Sequence, residues 1–409
     1  MKSSFYITLI WAVGLIFVQA ETREWTSSDG KKIEATIISL DGEMVRLETV
    51  KGNFELPLSR LSNPDQDFAK EWSENKKAAE MAAPAGGSGD NVAPLLGDFE
   101  NLKLGVWPQF VVADLEVVEI DPAESAAENK GEYVYRTPHF EFHSPDRLSI
   151  SVTREFARIF EATFAFVEQM PIGLAPKGSA NGYYQTILYM TEDAYYLDGG
   201  MPGSGGMFSW RSRGEEMNGM IKVPLSNLGV EFTGNRFIVD QNKRSTTLTH
   251  EIVHQVMMRW LATSMPTWLS EGIAEVVSSQ SYDGGRFKLS SMNRSIADEV
   301  SGGSGEFRMV KLERLMTISH EDWAAELAGG NGGRYYNSAN VLAYYFLRLD
   351  GEGNGANLVE FLKEITKGNR ADGSTEAQAT FLLRDRDYEK LEVDLARAWR
   401  SEGLKVEFN

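Results

Sequence analysis

The chain has 409 residues, of which 42% are apolar and 24% charged, enough for a sizeable core and two or three domains. Its net charge of -18 excludes nucleic acid as a main partner, because phosphate binding needs clustered Lys and Arg. Cysteine is absent, which excludes disulfides, thiolate metal ligands, a cysteine nucleophile and a lipid-anchored cysteine.

Residues 1–20 read as a secretory signal. Lys2 supplies a short positive region, residues 5–18 (FYITLIWAVGLIFV) an apolar run, and Val18-Gln19-Ala20 the small residues of a cleavage site. The run is shorter than the ~20 residues of a spanning helix, and polar chain follows at once. The expectation is an exported protein, periplasmic or extracellular, with no stable membrane insertion after signal cleavage.

Residues 21–73 predict a small all-β module. Residues 33–40, 44–49 and 53–58 are β-rich, with turn signals at Asp41-Gly42 and Lys51-Gly52. Several short strands in about fifty residues predict a small barrel. REWTSSDGKKIEA, DGEMVRLE, KGNFELPLSRLS and Asp65 resemble an SH3-like module of the Sla-homology type. That resemblance implies a β-barrel that binds short Asn-Pro-Phe peptides; a surface-attachment or spacer module fits the residues equally well. Residues 74–95 are rich in Ala, Gly, Ser and Pro and predict a flexible linker.

From residue 96 the pattern becomes globular. Residues 110–120, 133–142 and 184–190 predict strands. Residues 153–170 predict an amphipathic helix through Phe156, Ile159, Phe160, Thr163, Phe164 and Val167. The glycine-rich residues 199–206 predict a loop, and residues 207–210 and 220–223 a hairpin beyond it. After residue 242 the periodicity turns mostly helical. Strands followed by helices predict an α+β fold, with a β-rich lobe at 96–240 and a helical lobe at 241–409.

The helical lobe opens with HEIVH, residues 250–254, in a run from Thr246 to about Trp260 with Ser245 as its expected N-cap. Two histidines four apart share a helix face, so His250 and His254 can grip one metal ion with Glu251 beside its open side. Zinc catalytic sites use three protein ligands. The metzincin extension fails, because Met257 and Trp260 stand where that pattern needs Gly and His. PTWLSEGIAEVV supplies the alternative: a second helix starting at Pro266 or Thr267, with Glu271 as third ligand. Glu275, four residues on, shares its face and can accept a hydrogen bond from the far nitrogen of a ligand histidine.

HEIVH followed by WLSEGIAE resembles the gluzincin zinc metallopeptidases, and residues 135–349 resemble the peptidase-MA-like domains of exported bacterial proteins. The resemblance implies a thermolysin-like catalytic domain, one zinc ion, and Glu251 as general base for the attacking water. It also implies an oxyanion-stabilising tyrosine at the start of a later helix. YYNSANVLAYYFLRL places Tyr336 there, with Tyr335 as the alternative, although Ser338-Ala339 replaces the usual Lys-Gly. The Gly-Ala-Met-Glu-Asn motif of the aminopeptidases is absent, so amine capture is not implied and an endopeptidase acting on a peptide or protein substrate is expected. The 207–223 hairpin is the expected docking edge for an extended peptide, with the 199–206 loop as a lid. Two other classes fit the same residues: a binding or scaffold protein on a relict peptidase fold, and a zinc hydrolase of a non-peptide amide or ester. His139 and His143 in HFEFH read as a polar strand face, Arg244 and Asp240 as supports of the zinc helix, and His320 as part of a helix start.

Overall fold

The computed structural model describes residues 23–70 and 96–409, leaving out 29–30, 42–43, 50–51, 67, 114, 121–132, 177–181, 201–203, 214–215, 241–243, 246 and 368–372. The expected signal (1–20) and linker (74–95) lie outside the described residues. The chain divides into two compact units, one holding residues 23–70 and the other residues 96–409. Among the described residues no helix is long and apolar enough to cross a membrane. The fold is mixed α+β, as the succession of strands and helices predicts.

In the smaller unit, β1 (Arg23–Thr26), β2 (Lys32–Asp41), β3 (Met44–Thr49) and β4 (Gly52–Pro57) form an antiparallel meander in sequence order. The expected closed barrel is not formed among the described residues. After β4 the chain enters a helical turn, Leu58–Arg60, instead of another strand. Leu58, Leu61 and Ala69 from this segment then cover the core of Trp25, Ala35, Val45 and Leu47. The Trp25 indole donates to Ala35 O at 2.8 Å. Buried Asp65 accepts from Thr26 N and Ser62 Oγ, both at 2.8 Å, which ties the segment after β4 back to β1.

The larger unit is built on a six-stranded mixed sheet. It comprises β6 (Val118–Ile120), β7 (Tyr133–Arg136), β8 (Phe140–Ser144), β9 (Tyr184–Tyr189), β10 (Met207–Arg213) and β11 (Glu216–Pro224), in the order β10-β11-β9-β8-β7-β6. β8, β9 and β11 run parallel, and the remaining pairs are antiparallel. Two expected strands divide. The 110–120 run splits into β5 (Phe110–Val112) and β6, which join different sheets. The 133–142 run turns at Thr137–His139 into the β7–β8 hairpin. In the 133–142 run the apolar pattern continues across a reversal that periodicity alone does not register.

Helix α1 (Ile150–Gln169) packs on this sheet, capped by Ser149 Oγ accepting from Val152 N at 3.3 Å. Its predicted apolar stripe is buried, and Phe156 and Phe160 meet Phe140 and Phe142 edge-on at 5.0–5.4 Å. The helical lobe is not purely helical: Arg286–Lys288 pairs with β5 from the other end of the unit, and Glu306–Met309 pairs in parallel with Lys405–Phe408.

Candidate metal centre

HEIVH lies on helix α2 (Leu248–Val256), which is shorter than the predicted run. It ends at Met257, and a separate turn, Met258–Leu261, follows. The N-cap is Thr247, two residues past Ser245, whose hydroxyl accepts from Thr247 N at 3.3 Å. Of the expected supports of the helix, Arg244 lies over the Tyr282 ring at 4.5 Å, and Asp240 N donates to Gly229 O at 2.8 Å. WLSEG lies on α3 (Thr267–Ser278), with Pro266 fixing the entry as expected. Pro266 lacks an N–H, and the start of a helix leaves that donor unused anyway.

The three expected ligands converge. His250 Nε2 lies 3.0 Å from His254 Nε2 and 3.2 Å from Glu271 Oε2, and His254 Nε2 lies 3.3 Å from the same oxygen. Ligands of a tetrahedral zinc ion at 2.0–2.1 Å would be about 3.3 Å apart, so the three atoms are spaced as one small ion requires. His250, His254 and Glu271 thus form a buried group able to hold a metal ion. Glu275 Oε1 takes His250 Nδ1 at 2.8 Å, which fixes the tautomer and leaves Nε2 for the metal.

No member of the set His250, Glu251, His254 and Glu271 is more than 5% exposed, and their ionisation follows from that. Burial raises Glu251 to about 8, moderated by His250 and by the Phe208 backbone N–H. Burial also pushes His254 down, toward the neutral form a metal needs. Burial opposes charge on Glu271 too, yet His254 and His250 outweigh it and hold the carboxylate at about 2. Against the same burial, Glu275 and Glu271 hold His250 at about 10. Glu251 Oε2 accepts from Phe208 N on β10 at 2.9 Å, while Oε1 is buried without a hydrogen-bond partner. A buried carboxylate oxygen left open is costly unless something else comes to meet it.

Helix α4 (Gly332–Arg348) carries the two tyrosines. The half-buried Tyr336 ring stands edge-on to His250, with centroids 5.7 Å apart and planes at 87°. Burial, with Glu271, Glu275 and Glu251 facing it, holds the Tyr336 hydroxyl well above the ordinary phenol value, so it stays protonated. Tyr335 turns away to Arg314 and Glu326. α4 reaches the site because α3 presents Gly272 to it. A Cβ there would come within 2.5 Å of Ala339 O and 2.7 Å of Ala343 Cβ. Ser338, at the departure from Lys-Gly, accepts from Val310 N at 3.1 Å.

The hairpin around 207–223 forms as β10 and β11, and β10 is the edge of the sheet. Sequence reasoning missed that its Phe208 N–H holds Glu251; a backbone donor leaves no mark in residue identity. Of the 199–206 loop, residues 201–203 lie outside the described set, and Gly205 packs so closely on Ser245 and Thr247 that a Cβ would overlap both hydroxyls. Among the described residues, His139 and His143 do not join any metal-holding group. His139 Nδ1 pairs with Glu161 at 2.6 Å and His143 Nε2 with Glu141 at 3.0 Å. HFEFH thus forms a polar strand face, as expected, with His143 and Glu141 buried within it. His320 starts a short helix, His320–Glu326, N-capped by Ser319. Comparison with protein-family models, curated proteins and solved structures finds no match to this chain.

Proposed function

We propose that this protein is an exported zinc-dependent metallopeptidase of gluzincin type, whose catalytic unit follows a small β-sheet module in the chain. The observation that carries the reading is the convergence of His250 Nε2, His254 Nε2 and Glu271 Oε2 within 3.0–3.3 Å of one another, with Glu251 alongside. Two imidazoles and one carboxylate are a donor set that suits zinc and leaves a coordination position open. A zinc ion held there would polarise a scissile carbonyl and make a water molecule more acidic.

The chain's own groups supply the rest. Glu251, open at Oε1, would, in its ionised form, accept the proton of the attacking water and pass it to the leaving amine. Tyr336, kept protonated, donates to the developing oxyanion. Glu275 holds His250 in its ligating tautomer. Phe208 N–H points away from β11 toward Glu251, so by strand alternation the outward N–H and C=O of Phe208 and Trp210 line the approach to the base. An extended substrate adds to that edge as a further strand, which favours cleavage within a chain.

The test is a peptide-library digest of purified protein with and without chelator, alongside Glu251→Gln. Cleavage should vanish with chelator and return with zinc. Glu251→Gln should keep one zinc per chain and lose roughly two to four orders of magnitude in turnover. Unchanged turnover in the variant would sink the mechanism. Protein without stoichiometric metal would point to a relict fold that binds instead of cutting, and zinc-dependent activity on esters alone to a non-peptide hydrolase.

A further inference from the structure

Gln255 directly follows the second histidine of HEIVH. Consecutive helix residues stand about 100° apart, so His254 reaches the metal centre while Gln255 reaches the sheet. Gln255 is 0% exposed, at a place where an apolar side chain would pack without burying a polar group. Its Nε2 donates to Gln185 O on β9 at 2.6 Å, between residues 70 apart in the chain. A carbonyl oxygen only accepts, so the amide must turn its nitrogen that way. The amide oxygen, Oε1, is then left buried and meets no hydrogen-bond partner among the described residues. An unmet buried acceptor is unfavourable, and what the side chain gains against it is the bond to β9.

A second bond ties the same turn to the same strand. The Tyr184 hydroxyl donates to Val256 O at 3.2 Å. Val256 is the last residue of α2, where helix geometry leaves carbonyls without a partner further along. The Tyr184 ring is fully buried, with the Phe140 ring at 5.3 Å and the Phe164 ring at 6.1 Å, so its hydroxyl is held from the sheet side. Two adjacent residues of an inner strand, Tyr184 and Gln185, thus clasp two adjacent residues at the end of the helix, Gln255 and Val256. The place matters. α2 is nine residues long, and His254 stands in its last turn. Short helices draw their stability from packing, and helix ends fray. Metal sites hold their ligand distances to within about 0.2 Å.

We propose that Gln255, with Tyr184 beside it, is a positioning residue for the metal centre: the clasp to β9 fixes the last turn of α2, so that His254 Nε2 meets the ion already in place. The effect on the ion rests on the metal-site reading above; the clasp does not.

Two readouts separate them. Gln255→Met keeps an unbranched side chain of similar length and removes the donor. In metal-free protein, hydrogen exchange should show residues 254–257 losing protection in this variant, with α1 and α3 keeping theirs. Unchanged protection at 254–257, or an equal loss throughout the unit, overturns the clasp whether or not zinc binds. In zinc titrations against a competing chelator, Gln255→Met should weaken binding about tenfold, as loss of support behind a ligand does. It should cost nothing further in a His254→Ala background. Equal losses in both backgrounds, or none in either, overturn the positioning role. Should Gln255→Met fail to fold, Tyr184→Phe removes one hydroxyl from the same clasp and should move both readouts in the same direction; no response in either overturns the proposal. A wild type that takes up no zinc sinks the metal reading and the positioning role with it, while exchange at 254–257 still decides the clasp.

Discussion

Glu251 and His250 set opposite demands on the protein with and without its metal. Both hold a proton in the metal-free fold beyond the pH at which an unfolded chain releases it: Glu251 up to about 8 and His250 up to about 10. Wherever the folded state binds more protons than the unfolded one, stability falls as pH rises. Glu251 therefore costs stability progressively from about pH 4.5 to 8. His250 contributes stability in full below about pH 6.5 and loses it as pH climbs through 10. Glu271, held at about 2, works the other way: its contribution is present above about pH 4.5 and disappears as pH falls through 2. Chelated protein should thus melt at progressively lower temperature between pH 5 and 9. Zinc must displace the His250 proton, so its stabilising increment should grow over the same range. Calorimetric melts at matched pH, with chelator and with zinc, check both slopes; a metal-free melting temperature that rises with pH contradicts this account.

At the scale of elements, the site depends on the approach of α3 and α4. Gly272 is the point of contact, and a methyl group there would press on backbone oxygen, which cannot rotate away. Gly272→Ala should separate the helices and cost about 1–3 kcal/mol in stability. The same movement carries Tyr336 away from His250, so kcat should fall together with stability. Zinc stoichiometry should hold, because His250 and His254 stand on α2 and Glu271 turns with its own helix. A denaturant melt beside a metal assay and a rate assay reads all three. A variant as stable and as active as the parent would show that α4 tolerates the shift. The WLSEG glycine thus has a packing reason that its place next to Glu271 does not reveal.

At the scale of the molecule, every group of the site comes from the unit holding residues 96–409. A chain begun at residue 96 should fold, bind zinc with the parent's stoichiometry, and keep the parent's turnover on short peptides. Circular dichroism, metal analysis and a rate assay check this; loss of zinc binding would show that the smaller unit supports the site. Much of the centre was legible from residue spacing. His250 and His254 share a face by helix geometry, Glu271 and Glu275 recur one turn apart, and the apolar stripe of α1 is the one its periodicity predicts, because each of these is set within a few turns of one local backbone. The limits of α2, the hairpin hidden in residues 133–142 and the open meander of the smaller unit were not legible, because each depends on where the chain reverses. Tertiary structure alone decided between Tyr335 and Tyr336 at the metal centre, and that the Phe208 backbone N–H holds Glu251. Neighbouring residues such as Tyr335 and Tyr336 are chemically alike in sequence, and only packing against Gly272 and His250 distinguishes them.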